Sequence, residues 1–355
     1  MSLDPEMLRR SLCAHFGGTD NWQFETVADP SGSKYRLCVL RATNLDSGRD
    51  VAIKANTGRD RNEEQFKALV AFYNEGVDSI RPFYIDSSKL FFVMEWVDAP
   101  LLEQQLGGTH HDELIADAGR WLSKMQKLTE NSTIYASNIR KPKLKRLRGD
   151  QAVQKLFKSL NKCLGDPKVL QKTPVRLHGD FTIFNVFSTH NRLLGFDAQV
   201  HAYGIPFHDA TRFLLSLARA RHDASHAGRG WPGSTEQDRQ SFFKGYGPIL
   251  EEDLWLFDLM EDCIYFNSWR RLRSRKGDAA SIQYFDQQLG KRGLLGDEGQ
   301  KTRPGRLVKN SGTNREIWTR DVPYARPNSS ESLFYRFMAT KLVDIRKLIK
   351  LSRKT

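Results

Sequence analysis

The apolar positions of the chain change period as it proceeds. KYRLCVLRATNLDSGRDVAIKA (34–55) is strand-like, with Tyr35, Leu37 and Val39 at alternate positions before a turn at Asp46, Ser47 and Gly48 and the run Val51, Ala52 and Ile53 after it. Two β-rich runs around a DSG turn predict a hairpin. NEEQFKALVAFYNEG (62–76) shifts to helical spacing, with Phe66, Leu69, Val70 and Tyr73 on one stripe, and KLFFVMEWV (89–97) reads as a buried strand. Past Pro100 the helical period takes over. Leu114, Ile115, Ala118, Trp121, Leu122, Met125 and Leu128 share one face. DQAVQKLFKSLNKCLG repeats the pattern and closes on Gly165, a suitable C-cap. A strand–loop–strand block is expected over 175–200, and helices from near Asp209, Thr235 and Pro248. Residues 295–330 are polar, with Gly, Pro and Asn, and read as loop; the last twenty-odd residues return to helical spacing. The pattern predicts an α+β chain, a small β-rich region followed by a larger helical one.

Composition limits what such a chain can be. Its 355 residues are 39% apolar and 27% charged, enough to bury a core without staples. No apolar run approaches the ~18–20 residues that span a bilayer, and MSLDPEMLRRSLCAHF lacks the basic-then-apolar order of a secretory signal. Four cysteines, Cys13, Cys38, Cys163 and Cys263, lie far apart without metal-binding spacing and are expected as reduced thiols in a cytoplasmic protein. The formal charge of +13 draws anions and repels basic partners.

The chemistry concentrates in RLHGDFTIFNVFSTHNRLLGFDAQ (176–199). Val175–Leu177 and Asn185–Phe187 look like strand material around a short polar loop, and Leu193–Phe196 like the returning strand of a hairpin. Asp180 then lies on the loop, Asn185 at its end and Asp197 just past the return. Two carboxylates and an amide are all oxygen ligands, a set that suits a hard divalent ion completed by phosphate oxygens.

HGDFTIFN resembles the HxDxxxxN catalytic loop of the aminoglycoside phosphotransferase and choline kinase family, whose members share the protein-kinase-like fold. GFDAQ is similar to that family's second metal-binding segment, and IPFHDATRFL to the segment that follows, with Asp209 at its acidic position. VAIK resembles the strand carrying the nucleotide lysine, here Lys54, and VMEWVDAPLL the hinge between lobes. These segments occur in the family's order over roughly residues 25–220. The resemblance implies a two-lobed fold, a nucleotide-binding lobe over 1–97 and a catalytic and acceptor-binding lobe over 98–330; the helical spacing and basic residues of 331–355 read as an amphipathic helix of that second lobe.

It also implies roles. Asp180 would be the catalytic base toward an acceptor hydroxyl, while Asn185 and Asp197 would hold Mg²⁺ and Lys54 would neutralise the phosphates of ATP. Ser31, Gly32 and Ser33 would form the loop over those phosphates. Glu95 and Val97 would offer backbone groups to the base. Glu64 is favoured as the carboxylate holding Lys54, although Gln65 aligns nearest the family's glutamate. His178 and Asp209 are expected to brace the loop. HGD in place of HRD, with no DFG or APE segment, argues against a protein kinase.

The acceptor stays open between a sugar, an amino alcohol and an aminoglycoside-like molecule. A strongly basic chain suits a polycationic acceptor poorly and an anionic one better. Basic runs at 140–148, 270–276 and in the tail carry two alternatives. In one, the tail tethers the enzyme to the inner face of an anionic membrane beside a membrane-linked saccharide or lipid acceptor. In the other, a kinase-like fold binds a polyanion or nucleic acid; no specific nucleic-acid module is recognisable.

Overall fold

The computed structural model describes residues 3–28, 37–56, 58–127, 151–198, 202–274 and 279–292, with short pieces at 139–140, 144, 294, 306–309 and 316–319. In chain order the elements are α1 (Pro5–Phe16), β1 (Trp22–Ala28), β2 (Leu37–Asn44), β3 (Asp50–Asn56), α2 (Arg59–Asn74), β4 (Pro82–Ile85) and β5 (Phe92–Glu95). Next come α3 (Leu102–Gln105), α4 (His111–Lys127), β6 (Ile139–Arg140), α5 (Gln151–Leu164), α6 (Pro167–Gln171), β7 (Val175–Leu177), β8 (Val186–Ser188), β9 (Leu193–Gly195) and β10 (Ala202–Gly204). The chain continues through α7 (His208–His226), α8 (Thr235–Tyr246), α9 (Leu254–Ser274), α10 (Ala279–Lys291), β11 (Arg306–Lys309) and β12 (Glu316–Thr319). Two compact units result. One takes the chain as far as Leu101 and again from Asn185 to Val200; the other takes Leu102–Phe184 and the chain from His201 to Phe337.

The first unit is built on a five-stranded sheet in the order β1-β2-β3-β5-β4, antiparallel throughout. The DSG turn joins β2 to β3 as its residues dictate. The Asn44 side chain accepts from the Ser47 N–H at 2.9 Å and its hydroxyl at 2.8 Å, and Gly48 takes φ +66°, which glycine adopts without strain. Alternation along β3 gives the sheet two apolar faces. Val51, Ile53 and Ala55 face a core with Trp22, Leu40, Ala42, Phe91 and Val93, covered by Leu8 and Leu12 of α1. Full burial of each such leucine stabilises by roughly 1.5–3 kcal/mol. Ala52 faces the opposite core with Leu69, Ile80, Phe92 and Met94. On α2 the buried apolar stripe runs through Ala68, Leu69 and Phe72, whereas Tyr73, expected on it, is 43% exposed.

The second unit is mostly helical. Its β7 pairs with β10 and not with β8, so the hairpin begins only after the catalytic-type loop. Helices α4 and α8 meet backbone to backbone. A Cβ on Gly245 would stand 1.8 Å from the carbonyl oxygen of Ala116, and one on Gly119 2.2 Å from that of Phe242. Only glycine permits that approach. An aromatic stack runs through the crossing: Trp121 on Phe181 (5.1 Å, 6°), Phe181 on Phe213 (5.0 Å), Phe213 on Phe242 (5.1 Å) and Phe242 on Tyr246 (5.7 Å). Helix α9 is buried along most of its length, as its weak segregation of apolar and polar residues requires.

The region read as loop over 295–330 contains an antiparallel pair, β11 with β12. Each strand has only two adjacent apolar residues, Leu307 and Val308 paired with Trp318 and Ile317, and the polar residues on either side concealed them. Helix α10 was also not foreseen. All four cysteines are free thiols, as expected. No helix among the described residues is long and apolar enough to cross a membrane.

Candidate functional site

In the first unit a lysine of the sheet and an aspartate of a later hairpin meet. Lys54 projects from β3, and its Nζ lies 2.7 Å from Oδ1 of Asp197, 143 residues on. Hairpin β8–β9 carries the aspartate there. Gly195 N–H donates to the Asp78 carbonyl (3.0 Å), and Ser188 N–H to that of Pro100 (2.9 Å). Phe187 and Phe196 stack at 4.6 Å and pack on the core of Ala52, Leu69, Ile80, Phe92 and Met94. Phe196 N–H donates to the Asn185 carbonyl at 3.1 Å, so Asn185 and Asp197 flank the open end of the hairpin. Asp197 holds φ +60°, a strained value for a non-glycine residue.

The carboxylate predicted beside Lys54 requires correction. Glu64 is exposed on α2, and the ion pair of Lys54 goes to Asp197. The next residue, Gln65, reaches inward and donates Nε2–H to the same Asp197 Oδ1 at 2.9 Å. Its own Oε1 accepts from Asn56 Nδ2 at 3.1 Å, and Asn56 is fixed by the fully buried Asn62 at 2.8 Å. Asn62 in turn donates to the carbonyls of Lys89 and Leu90. A chain of amides therefore orients Asp197, and an amide serves where a carboxylate would add a second negative charge. The helical phase set by Leu69 and Phe72 already places Gln65, not Glu64, toward the sheet.

Glu95 ends β5, its N–H donating to the Arg81 carbonyl at 2.8 Å while its side chain stays exposed. Val97 packs against the Met94 core. Ser31, Gly32 and Ser33 lie outside the described residues, as do Gln199, the 331–355 tail and most of the basic run 140–148.

In the second unit the loop after β7 is clamped by one face of α7. Asp209, fully buried in the helix's first turn, accepts from the His178 N–H (2.6 Å) and the Gly179 N–H (3.2 Å). One turn on, Arg212 donates Nη1–H to the Gly179 carbonyl (3.1 Å), and its Nη2 lies 2.5 Å from Oδ1 of Asp180. A further turn on, Ser216 Oγ accepts from the Ile183 N–H (3.2 Å). Gly179 sits at φ +80°, a conformation that explains glycine between His178 and Asp180. The His178 ring stands edge-on to Trp121 and Phe181, tying the loop to the aromatic stack. Burial opposes charge on Asp209. The His208 hydrogen bond and charge, the His178 charge and the Gly179 N–H outweigh it and hold the carboxyl below its ordinary range. Sequence reasoning placed Asp209 as a brace but missed Arg212 and Ser216. The signal was present: polar residues at i, i+3 and i+7 with Ala210, Phe213, Leu214, Leu215 and Leu217 among them in the first half of the helix.

His111, Asp112 and Asp238 also lie close enough to share an ion. Asp238 is already engaged, by His111 Nε2 at 2.9 Å and by Arg221 at 2.7 and 2.5 Å. The same guanidinium holds the carbonyls of Trp231, Pro232 and Gly233, so the cluster pins that loop and arginine supplies its positive charge. His222 and His226, four residues apart at the end of α7, have ring centroids 4.9 Å apart, and His222 packs on Tyr284.

The sequence profile of the phosphotransferase enzyme family matches residues 51–240. No curated protein matches the sequence. Among solved structures, an amicoumacin kinase in complex with AMP-PNP and Ca²⁺ superposes with a TM-score of 0.55 at 14% identity, covering 80% of this chain and 92% of that one. A choline kinase from Cryptosporidium parvum gives 0.54 at 9% identity, over 82% and 98% of the two chains. An ethanolamine kinase from Plasmodium vivax gives 0.52 at 12% identity, over 78% and 85%. At these identities the structures establish the shared fold.

Proposed function

Because the chain belongs to the phosphotransferase enzyme family, we propose that it moves the γ-phosphoryl group of ATP to a hydroxyl of a small molecule, with Asp180 as base. The observation that carries the reading is the junction of Lys54 with Asp197 at 2.7 Å. It joins a sheet lysine to an acid supplied 143 residues later, at positions the family pattern gives to nucleotide and metal binding.

The donor set fits a divalent cation. Asn185 and Asp197 offer an amide and a carboxylate oxygen from one hairpin mouth, and the left-handed backbone at Asp197, uncommon for a non-glycine residue, supports this reading. Both residues would hold Mg²⁺. When bound, the ion would supply charge neutralisation to the nucleotide phosphates. Lys54 adds a fixed positive charge. Its ammonium has three donors, enough for Asp197 and phosphate oxygens together.

Phosphoryl transfer asks for position and charge more than for covalent chemistry by the protein. The acceptor oxygen bonds to the γ-phosphorus as the bridging phosphorus–oxygen bond breaks. The nucleoside diphosphate leaves with that electron pair, and the hydroxyl proton passes to Asp180. The loop bearing Asp180 is fixed from both sides, its N–H groups by Asp209 and a carbonyl by Arg212. That rigidity is what a base held in reach of one hydroxyl requires.

The test is ADP release measured across a library of sugars, amino alcohols and antibiotics. Asp180→Asn should lower turnover on the productive acceptor by ~10²–10⁴-fold while nucleotide binding persists. A variant that keeps full turnover removes Asp180 from the mechanism.

A further inference from the structure

The base assigned above does not stand as a bare carboxylate. Arg212 places Nη2 2.5 Å from Asp180 Oδ1 while Nη1 holds the Gly179 carbonyl at 3.1 Å. The pair is open to water, with side chains 24% and 33% exposed. A guanidinium cannot lose its charge under working conditions and carries five N–H donors in a planar fork. Any hydroxyl brought to Asp180 therefore arrives beside a fixed positive charge with donors in hand.

We propose that Arg212 sets the acceptor class, selecting alcohols that carry an oxyanion, carboxylate or phosphate, close to the reacting hydroxyl and disfavouring amino alcohols and polyamine sugars. The proposal rests on the reading of Asp180 as base. An acceptor whose ammonium lies two or three bonds from its hydroxyl must press that cation toward the guanidinium. An oxyanion at the same place gains charge-assisted hydrogen bonds. The chain's +13 acts in the same direction at longer range. Arg212 is thus a positioning and selecting residue: it aligns Asp180, takes no proton, and screens what approaches. Its partners on α7 support that specialisation. Asp209 and Ser216 hold N–H groups of the loop, whereas Arg212 reaches the Asp180 carboxylate as well as a loop carbonyl.

The test uses the full-length protein with ATP and Mg²⁺ and three two-carbon alcohols of equal size: glycolate, ethylene glycol and ethanolamine. Each is titrated to high concentration, and the half-effective concentration for changing ADP release is read, whether the alcohol accepts the phosphoryl group or competes with water. Glycolate is expected to act at a concentration at least ~10-fold below that of ethanolamine, with the diol between. Arg212→Gln should compress or reverse that order, and Arg212→Lys, which keeps the charge, should retain most of it. Melting curves of both variants check the fold, and a purely structural lesion would shift all three alcohols alike. The proposal is overturned if ethanolamine is preferred by the unmodified protein, if the three alcohols act equally, or if Arg212→Gln leaves their order unchanged. Carboxylate and phosphate selection are separated by adding glycerate and glycerol 3-phosphate, which keep free hydroxyls and carry one anion each, to the series. Failure of the underlying reading shows differently, as ADP release that is absent altogether or insensitive to Asp180→Asn.

Discussion

Replacing Gly245 by alanine tests how tightly the helical unit is built beneath the loop that bears Asp180. The added Cβ would lie 1.8 Å from the Ala116 carbonyl oxygen, 2.7 Å from its carbon and 3.0 Å from the Arg120 nitrogen. A methyl carbon and a carbonyl oxygen come to rest near ~3.3–3.6 Å, so the overlap is about 1.5 Å. All three neighbours are backbone atoms of α4, and no rotamer change can relieve them. Either α4 and α8 separate or both bend. The same crossing is closed from the other side by Gly119 against Phe242 and Tyr246, so sliding along the axis meets a second obstruction. Separation would also open the stack formed by Phe213, Phe242 and Tyr246. Overpacking usually costs about 1–3 kcal/mol, and a backbone clash belongs at or beyond the upper end. At roughly 2–4 °C per kcal/mol for a unit of this size, Gly245→Ala should melt ~6–12 °C below the unmodified protein, followed by circular dichroism. Gly230→Ala is the control, because its Cβ would meet nothing within 4 Å. If Gly245→Ala melts within ~2 °C of the parent, the close approach of α4 and α8 is wrong.

Two further outcomes follow from the site. Lys54→Met keeps the stem of the side chain and removes the ammonium, leaving Asp197 with Gln65 as its remaining donor from that pair; ATP affinity by calorimetry should fall at least ~10-fold, and an unchanged affinity would take Lys54 out of nucleotide binding. Asp209→Asn should destabilise most at neutral pH: the folded-state pKa of Asp209 is depressed, so its stabilisation is complete above the ordinary carboxylate value of about 4 and drains away as pH falls through the lower folded value. The gap in melting temperature between parent and variant should therefore narrow on acidification, and a gap that widens would contradict the buried anion.

Most of the first unit's fold could be read from pattern and turn chemistry, because β2 alternates, β3 and β5 are short apolar runs, and the DSG turn joins the first two. Helix α1 could not be read from its apolar content, since only Leu8 and Leu12 are buried and charged residues surround them. Its ends were legible all the same: Asp4 caps the first turn by accepting from Glu6 N–H, Pro5 opens the helix, and Gly17 closes it. The motif residues were legible one by one, but their supports were not. Arg212 and Ser216 act through the loop they hold, and the inward turn of Gln65 depends on helical phase. That phase was visible in Leu69 and Phe72 once Tyr73 is set aside. β11 and β12 escaped because four-residue strands among polar residues carry too little pattern to separate from loop.

The two proposed functional acids share an arrangement that bears on how such a site binds charge. Asp197 faces Lys54, with side chains 29% and 8% exposed, and Asp180 faces Arg212, with 33% and 24%. In each pair the cation is the more buried partner and the acid the more open. Pairs reachable by water contribute little to stability, about 0–1 kcal/mol, so they can be rearranged at small cost when a ligand arrives. The cation is held in place by the element that carries it, β3 in one unit and α7 in the other. Each acid's charge is offset by its partner, and attraction at a distance is left to the excess of basic residues over the whole chain. On the proposed reading a nucleoside triphosphate would be drawn by that excess, while a cationic acceptor would meet it as repulsion. Cations placed beside the two acids would thereby suit the site to an anionic or neutral alcohol.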